Sequence, residues 1–151
     1  MSYYKIENLE EYFKHYKKSI REPKKFWDRI ASENFTWYQE WDNVIDFNMA
    51  EAEIKWFTNA KVNITKNCID RHLAKRGEKT AIIFEPNDPK EEALHITYNE
   101  LYERVSKMAN VLREQGVKKG DRVCIYLPMI PELAVSVLAC ARIGAIHSVV
   151  F

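Results

Sequence analysis

Hydrophobic and polar positions are distributed most tellingly from Arg122 to Phe151, where they spell strand, helix, strand. Val123 to Leu127 (VCIYL) is a short run of apolar, β-branched and aromatic residues, a pattern suited to a strand covered on both faces. Pro128 stops it. Pro131 fits the first turn of a helix, Glu132 favours the positive end of the helix dipole, and Gly144 fits a left-handed stop, so the helix is expected from Pro131 to Ile143. Between Leu133 and Ile143 only Ser136 and Arg142 are polar, so this helix needs cover on more than one side. Ala145 to Phe151 (AIHSVVF) returns as a second strand. Two strands joined through such a helix form a βαβ unit of a parallel sheet. A sequence that stops at an apolar strand, after a helix apolar nearly all round, reads as a piece of something larger.

Upstream, Thr97 and Glu100 form a capping box ahead of a helix that Gly116 ends. Leu101, Val105, Met108, Ala109 and Leu112 make its apolar stripe, while Glu103, Lys107, Asn110 and Glu114 face away. Thr80 to Glu85 and Leu94 to Ile96 read as short strands around the polar loop Pro86 to Glu92. A helix is expected over about Lys66 to Arg76, with Cys68, Ile69, His72 and Leu73 on one face and Gly77 as its stop. Strand and helix alternate from residue 80 onward, the pattern of a layered α/β domain.

Residues 1 to about 60 differ. All four tryptophans lie here and no glycine does. Tyr12, Tyr16 and Ile20 repeat at helical spacing, so Glu7 to Ser19 suits an amphipathic helix, and Pro23 opens another with Phe26, Trp27 and Ile30 on its apolar face. From Phe35 to Phe47 the aromatics follow neither period, as in segments that wrap over another surface. Ile54 to Ile64 suggests a short hairpin turning at Asn59 to Lys61.

Composition narrows the chemistry. Charged residues make up 30% and the net charge is +1, which singles out neither nucleic acid nor an anionic membrane as partner. Cys68, Cys124 and Cys140 are odd in number and widely spaced, which favours a reducing, cytoplasmic setting over a disulfide framework. No apolar run approaches the roughly 20 residues of a membrane span. The turn after the first parallel strand, Pro128 to Pro131, has no glycine, so neither a dinucleotide fingerprint nor a phosphate loop occurs. Cys68 and His72 have the spacing of metal ligands but no second pair, which favours a buried thiol and a packed or half-exposed imidazole. His147 and Ser148, as strand neighbours, point to opposite faces and cannot act as base and nucleophile. Asp70, Arg71 and Arg76 read as a solvated helix face, and Asp88, Glu91 and Glu92 as a surface loop. No catalytic residue and no metal site is expected within the chain.

KKFWDRI at Lys24, NCIDRHL at Asn67, ITYNELYERV at Ile96 and GVKKGDRVCIYLPMIPELAVSVLACARIGAIHSVVF at Gly116 closely resemble the N-terminal part of AMP-forming acetyl-CoA synthetases, in the acyl-adenylate-forming superfamily. The resemblance implies an N-terminal segment over 1–67 that wraps the main domain and the start of the AMP-binding domain over 68–151. It implies an enzyme that joins acetate to ATP, giving acetyl-adenylate and pyrophosphate, and transfers the acetyl group to coenzyme A. ATP, Mg2+, acetate and coenzyme A are then ligands of a longer enzyme whose remainder partners this chain. Phe151 matches the family's aromatic residue that lies against the adenine of coenzyme A. Two other expectations stay open: a propionyl- or other short-chain acyl-CoA synthetase fragment, and a small α/β module that only binds.

Overall fold

The computed structural model describes residues 5–150. By internal contacts the chain divides into two compact units, Met1–Val62 and Asn63–Phe151.

The first unit opens with α1 (Leu9–Arg21), whose cap Asn8 accepts from the Glu11 N–H at 2.8 Å, and α2 (Pro23–Asn34), with proline in its first turn. The apolar stripe of α1 stays uncovered: Tyr12, Tyr16 and Ile20 are all exposed. What holds the unit together is aromatic. Trp37, Trp41 and Phe57 pack edge-on or tilted with centroids 4.9–5.6 Å apart, and Trp56 links this group to Trp27. Two indole N–H groups are satisfied, Trp37 to the Ala31 carbonyl at 3.0 Å and Trp41 to Asp28 at 2.9 Å. The hairpin differs from the sequence expectation. Glu53–Trp56 is a strand, β2, but it pairs backwards with β1 (Ile45–Asn48), so the turn lies at Met49–Ala52 and not at Asn59–Lys61. Asn59, with φ +62, instead bends the exit loop, where its side chain holds Asp42 at 2.6 Å.

In the second unit the expected helix over Lys66 to Arg76 is broken. The chain runs through α3 (Ile64–Cys68), a 3-10 turn (Asp70–His72) and α4 (Leu73–Arg76). The break falls at Ile69, which is fully buried, and turns Asp70 toward Arg142. Strands β3 (Thr80–Phe84) and β4 (Leu94–Thr97) pair antiparallel with a register shift between Thr80 and Ile82. Next come α5 (Tyr98–Glu114), β5 (Arg122–Tyr126), α6 (Pro131–Ile143) and β6 (Ile146–Val150). β5 and β6 pair in parallel, Arg122 with Ile146 through Tyr126 with Val150, as expected of a βαβ unit.

The core of this unit is formed by the stripe Leu101, Val105 and Ala109 of α5 against Val135 and Ala139 of α6, with Ile69 and Ile96 closing it. On another side, α6 presents Cys140 to Ile125, Val123 and Val149 of the strands. Helix α6 thus has cover on two sides, as its composition demands. The strands do not: Val123, Ile125, His147 and Val149 are at least half-buried, whereas Cys124, Tyr126, Ile146, Ser148 and Val150 on the opposite face are exposed. The expectation of cover on both faces fails within the described residues. Among them, no helix is long and apolar enough to cross a membrane.

Candidate functional site

In open α/β sheets, ligands bind beyond the carboxyl ends of parallel strands. Here those ends are Tyr126 and Val150, which pair with each other. Beyond Tyr126 the chain turns tightly, the Ile130 N–H donating to the Pro128 carbonyl at 2.8 Å, and enters α6 at Pro131. An apolar hollow of about 450 Å³ lies at this end, lined by Tyr126, Leu127, Pro128 and Met129. It is poorly suited to a phosphate, since both prolines lack an N–H and Glu132 puts a carboxylate in the first turn of α6. The residue after Val150 is Phe151, the one site residue expected from sequence, and it lies outside the described residues.

The remaining candidates separate. Cys68 ends α3 with an exposed thiol, which corrects the expectation of a buried one. His72 sits in the 3-10 turn beyond the break, its ring 5.3 Å from that of Tyr98. The broken helix therefore removes the common face that metal ligation would need, and no three His, Cys, Asp or Glu residues among those described could hold a metal ion. Along β6, His147 is half-buried on the covered face and Ser148 exposed on the other. In the 86–92 loop the Asp88 carboxylate accepts from the Lys90 N–H at 2.9 Å, a turn-forming role. Of the three cysteines only Cys140 is buried, and burial raises its thiol pKa, which keeps it protonated and unreactive.

Asp70 is a correction. It belongs to no solvated face, because it accepts both guanidinium nitrogens of Arg142 at 2.6 and 3.3 Å. The Arg142 guanidinium also lies 5.2 Å from the centroid of the Tyr102 ring. Asn63 completes this corner, donating to the carbonyls of Ala141 and Arg142 at 3.3 and 3.1 Å and so satisfying the end of α6. One signal for this corner is present in the sequence: Arg142 is the single charge in the largely apolar stretch from Leu133 to Ile143, and a charge there needs a partner. The group fixes α6 at the amino end of β6, away from the hollow, so its role is to position and not to react.

Comparison with known proteins agrees with the fold. The profile described as acetyl-coenzyme A synthetase N-terminus matches residues 12–68, and that of AMP-binding enzyme matches residues 69–151. The acetyl-coenzyme A synthetase of Magnetococcus marinus is 55% identical over 144 residues, 95% of this chain and 22% of the relative. That of Desulfatibacillum aliphaticivorans is 56% identical over 142 residues, 93% of this chain and 22% of the relative. Among solved structures, the acetoacetyl-CoA synthetase from Streptomyces lividans superposes with a TM-score of 0.80 at 28% identity, over 89% of this chain and 20% of that one. The chain thus spans about 22% of the length of the curated relatives it matches. With a layered α/β arrangement and a family match over more than half its residues, the chain belongs to the AMP-binding enzyme family, and it is similar to the N-terminal part of acetyl-coenzyme A synthetases.

Proposed function

We propose that this chain is the opening part of an AMP-forming acetate–CoA ligase. The carrying observation is 55% identity to an acetyl-coenzyme A synthetase over 95% of the chain, through the aromatic-rich first part as well as the AMP-binding part. In the enzyme so formed, a carboxylate oxygen of acetate attacks the α-phosphorus of ATP and pyrophosphate leaves. The thiol of coenzyme A then displaces AMP from the acetyl-adenylate. No step of this chemistry is assigned to a described residue, and Mg2+ belongs to this reading only as a companion of ATP. In this reading residues 1–67 wrap the domain that begins at 68, acetate, ATP and coenzyme A are the small-molecule partners, and the setting is cytoplasmic, which suits three free cysteines.

Two measurements follow. The purified chain alone should give no acetate-dependent exchange of pyrophosphate into ATP, because its sequence holds no glycine-rich phosphate loop. Exchange by the enzyme that carries the chain should be faster with acetate than with propionate or acetoacetate; a preference for either of the others would replace the substrate and keep the family.

Phe151 is proposed to lie against the adenine of coenzyme A, supported by its place directly after Val150 at the carboxyl end of a parallel strand. Stacking of a base on an aromatic ring is worth about 1 to 3 kcal/mol. In the complete enzyme, Phe151→Ala should raise the coenzyme A concentration for half-maximal rate by about tenfold and leave adenylate formation unchanged. Loss of adenylate formation at unaltered coenzyme A dependence would remove Phe151 from the site.

A further inference from the structure

Helix α6 has little on its own surface to say where along its length it should sit. From Leu133 to Ile143 its side chains are apolar apart from Ser136 and Arg142, and Ala139 and Cys140, which pack against α5 and the strands, are small and fully buried. Ser136 is satisfied within the helix, its hydroxyl donating to the Glu132 carbonyl at 2.7 Å. Apolar packing of this kind rewards burial but tolerates small slides and rotations. A shielded polar group accepts one arrangement and so specifies register.

In the last turn of α6 the contacts become directional. Asp70 holds two nitrogens of the Arg142 guanidinium, and Asn63 donates to the carbonyls of Ala141 and Arg142. Asn63 is itself fixed: its side-chain oxygen caps α3 by accepting from the Thr65 N–H at 2.9 Å, and its carbonyl accepts from the Asn67 side chain at 3.2 Å. Thr65 and Asn67 are both buried. The Asp70 and Arg142 side chains are 31% and 20% exposed, and an ion pair in partial contact with water adds little stability, so geometry is the better account of what this bracket supplies. What it fixes is the start of β6. Only Gly144 and Ala145 intervene, and the link is hydrogen-bonded throughout: Ala145 N–H to the Cys140 carbonyl at 2.9 Å, Gly120 N–H to the Gly144 carbonyl at 2.9 Å, and Ile146 N–H to the Asp121 carbonyl at 2.7 Å. A shift of α6 therefore passes directly into β6, where a slip of one residue would exchange the two faces. The strand ends at Val150, and Phe151 follows.

We propose that Asp70 and Asn63 are positioning residues: by locking the last turn of α6 they set β6, and with it residue 151 at the carboxyl end of the strands. The consequence for coenzyme A rests on the contact proposed above for Phe151; the lock itself does not.

The test uses the complete enzyme that carries this chain, in the variants Asp70→Ala, Asn63→Ala, Asp70→Glu and Phe151→Ala, with Glu103→Ala, which loses only a surface pair, as control. Amide hydrogen exchange reads the lock. In Asp70→Ala and in Asn63→Ala the amides of residues 140–150 should exchange about tenfold faster while those of β3 and β4 change by less than about twofold. Either variant alone suffices to read it, and Asp70→Glu, which keeps the carboxylate, should recover most of the protection. Coenzyme A dependence reads the consequence. Asp70→Ala should raise the half-saturating concentration about fivefold, a larger factor than any loss in acetate-dependent pyrophosphate exchange, and should raise it no further when added to Phe151→Ala. Amides that quicken equally in β3, β4 and 140–150, or not at all, would overturn the lock and leave the coenzyme A reading untouched. An unaltered coenzyme A dependence in Asp70→Ala, where Phe151→Ala changes it, would overturn the positioning of residue 151. A lock that behaves as expected, beside a Phe151→Ala enzyme of unaltered coenzyme A dependence, would uphold the lock and remove the coenzyme A contact instead.

Discussion

Thr97 shows how much one residue can determine. Its hydroxyl accepts from the Glu100 N–H at 3.2 Å, and the Glu100 carboxylate in turn accepts from the Thr97 N–H at 2.7 Å. Those hydrogen bonds from Thr97, backbone first, lower the Glu100 carboxyl pKa, with a smaller contribution from Arg104. A carboxyl depressed in the folded state contributes stability that is full above its unfolded pKa and is lost as pH falls through the folded one. Thr97→Ala should lower stability by about 1 kcal/mol. Glu100→Ala should destabilise at pH 7, the difference from the parent fading as pH drops below about 4, the ordinary glutamate range. Urea midpoints measured across that range check both. Features of this kind were legible because they are local: the capping box and the left-handed Gly144, at φ +77, need only a few neighbours in sequence. The Asp70–Arg142 pair was not, since nothing near Asp70 shows that a helix end far along the chain will meet it.

At the scale of elements, periodicity served best where packing follows it. The bounds of α6 came directly from Pro131 and Gly144, and the α5 stripe is the buried one. Leu101→Ala should therefore cost about 2 to 5 kcal/mol in the folded protein, less at the partly exposed Leu112, whereas Glu103→Ala, which removes only a surface pair with Lys107, should leave the denaturation midpoint nearly unchanged. Equal effects at Leu101 and Glu103 would mean that the helix is turned the other way. The elements misread from sequence share a cause. In the hairpin the tight turn uses Met49 to Ala52, without glycine, proline or asparagine, so the stronger turn signal at Asn59 drew the turn to the wrong place. The break at Ile69 likewise carries no glycine or proline; burial of Ile69 and the reach of Asp70 to Arg142 hold it, and both are tertiary.

For the whole molecule, fold class and family were legible because the βαβ pattern is strongly apolar and its motifs are contiguous. The proposed place of Phe151 rests on resemblance alone. Residue chemistry offers an apolar strand end and no catalytic group, and the proposed reaction draws on chain that relatives possess over the rest of their length. In the proposed function, these 151 residues do the work of the first part of an acetyl-coenzyme A synthetase. The most direct measurement replaces the matching segment of the Magnetococcus marinus enzyme with this chain and follows acetyl-CoA formation from acetate, ATP and coenzyme A. At 55% identity the chimera should form acetyl-CoA within about tenfold of the parent rate, a difference of roughly 1.4 kcal/mol in barrier. A chimera that folds, as judged by its thermal transition, yet makes neither acetyl-adenylate nor acetyl-CoA would show that this chain does not serve as that part of the enzyme.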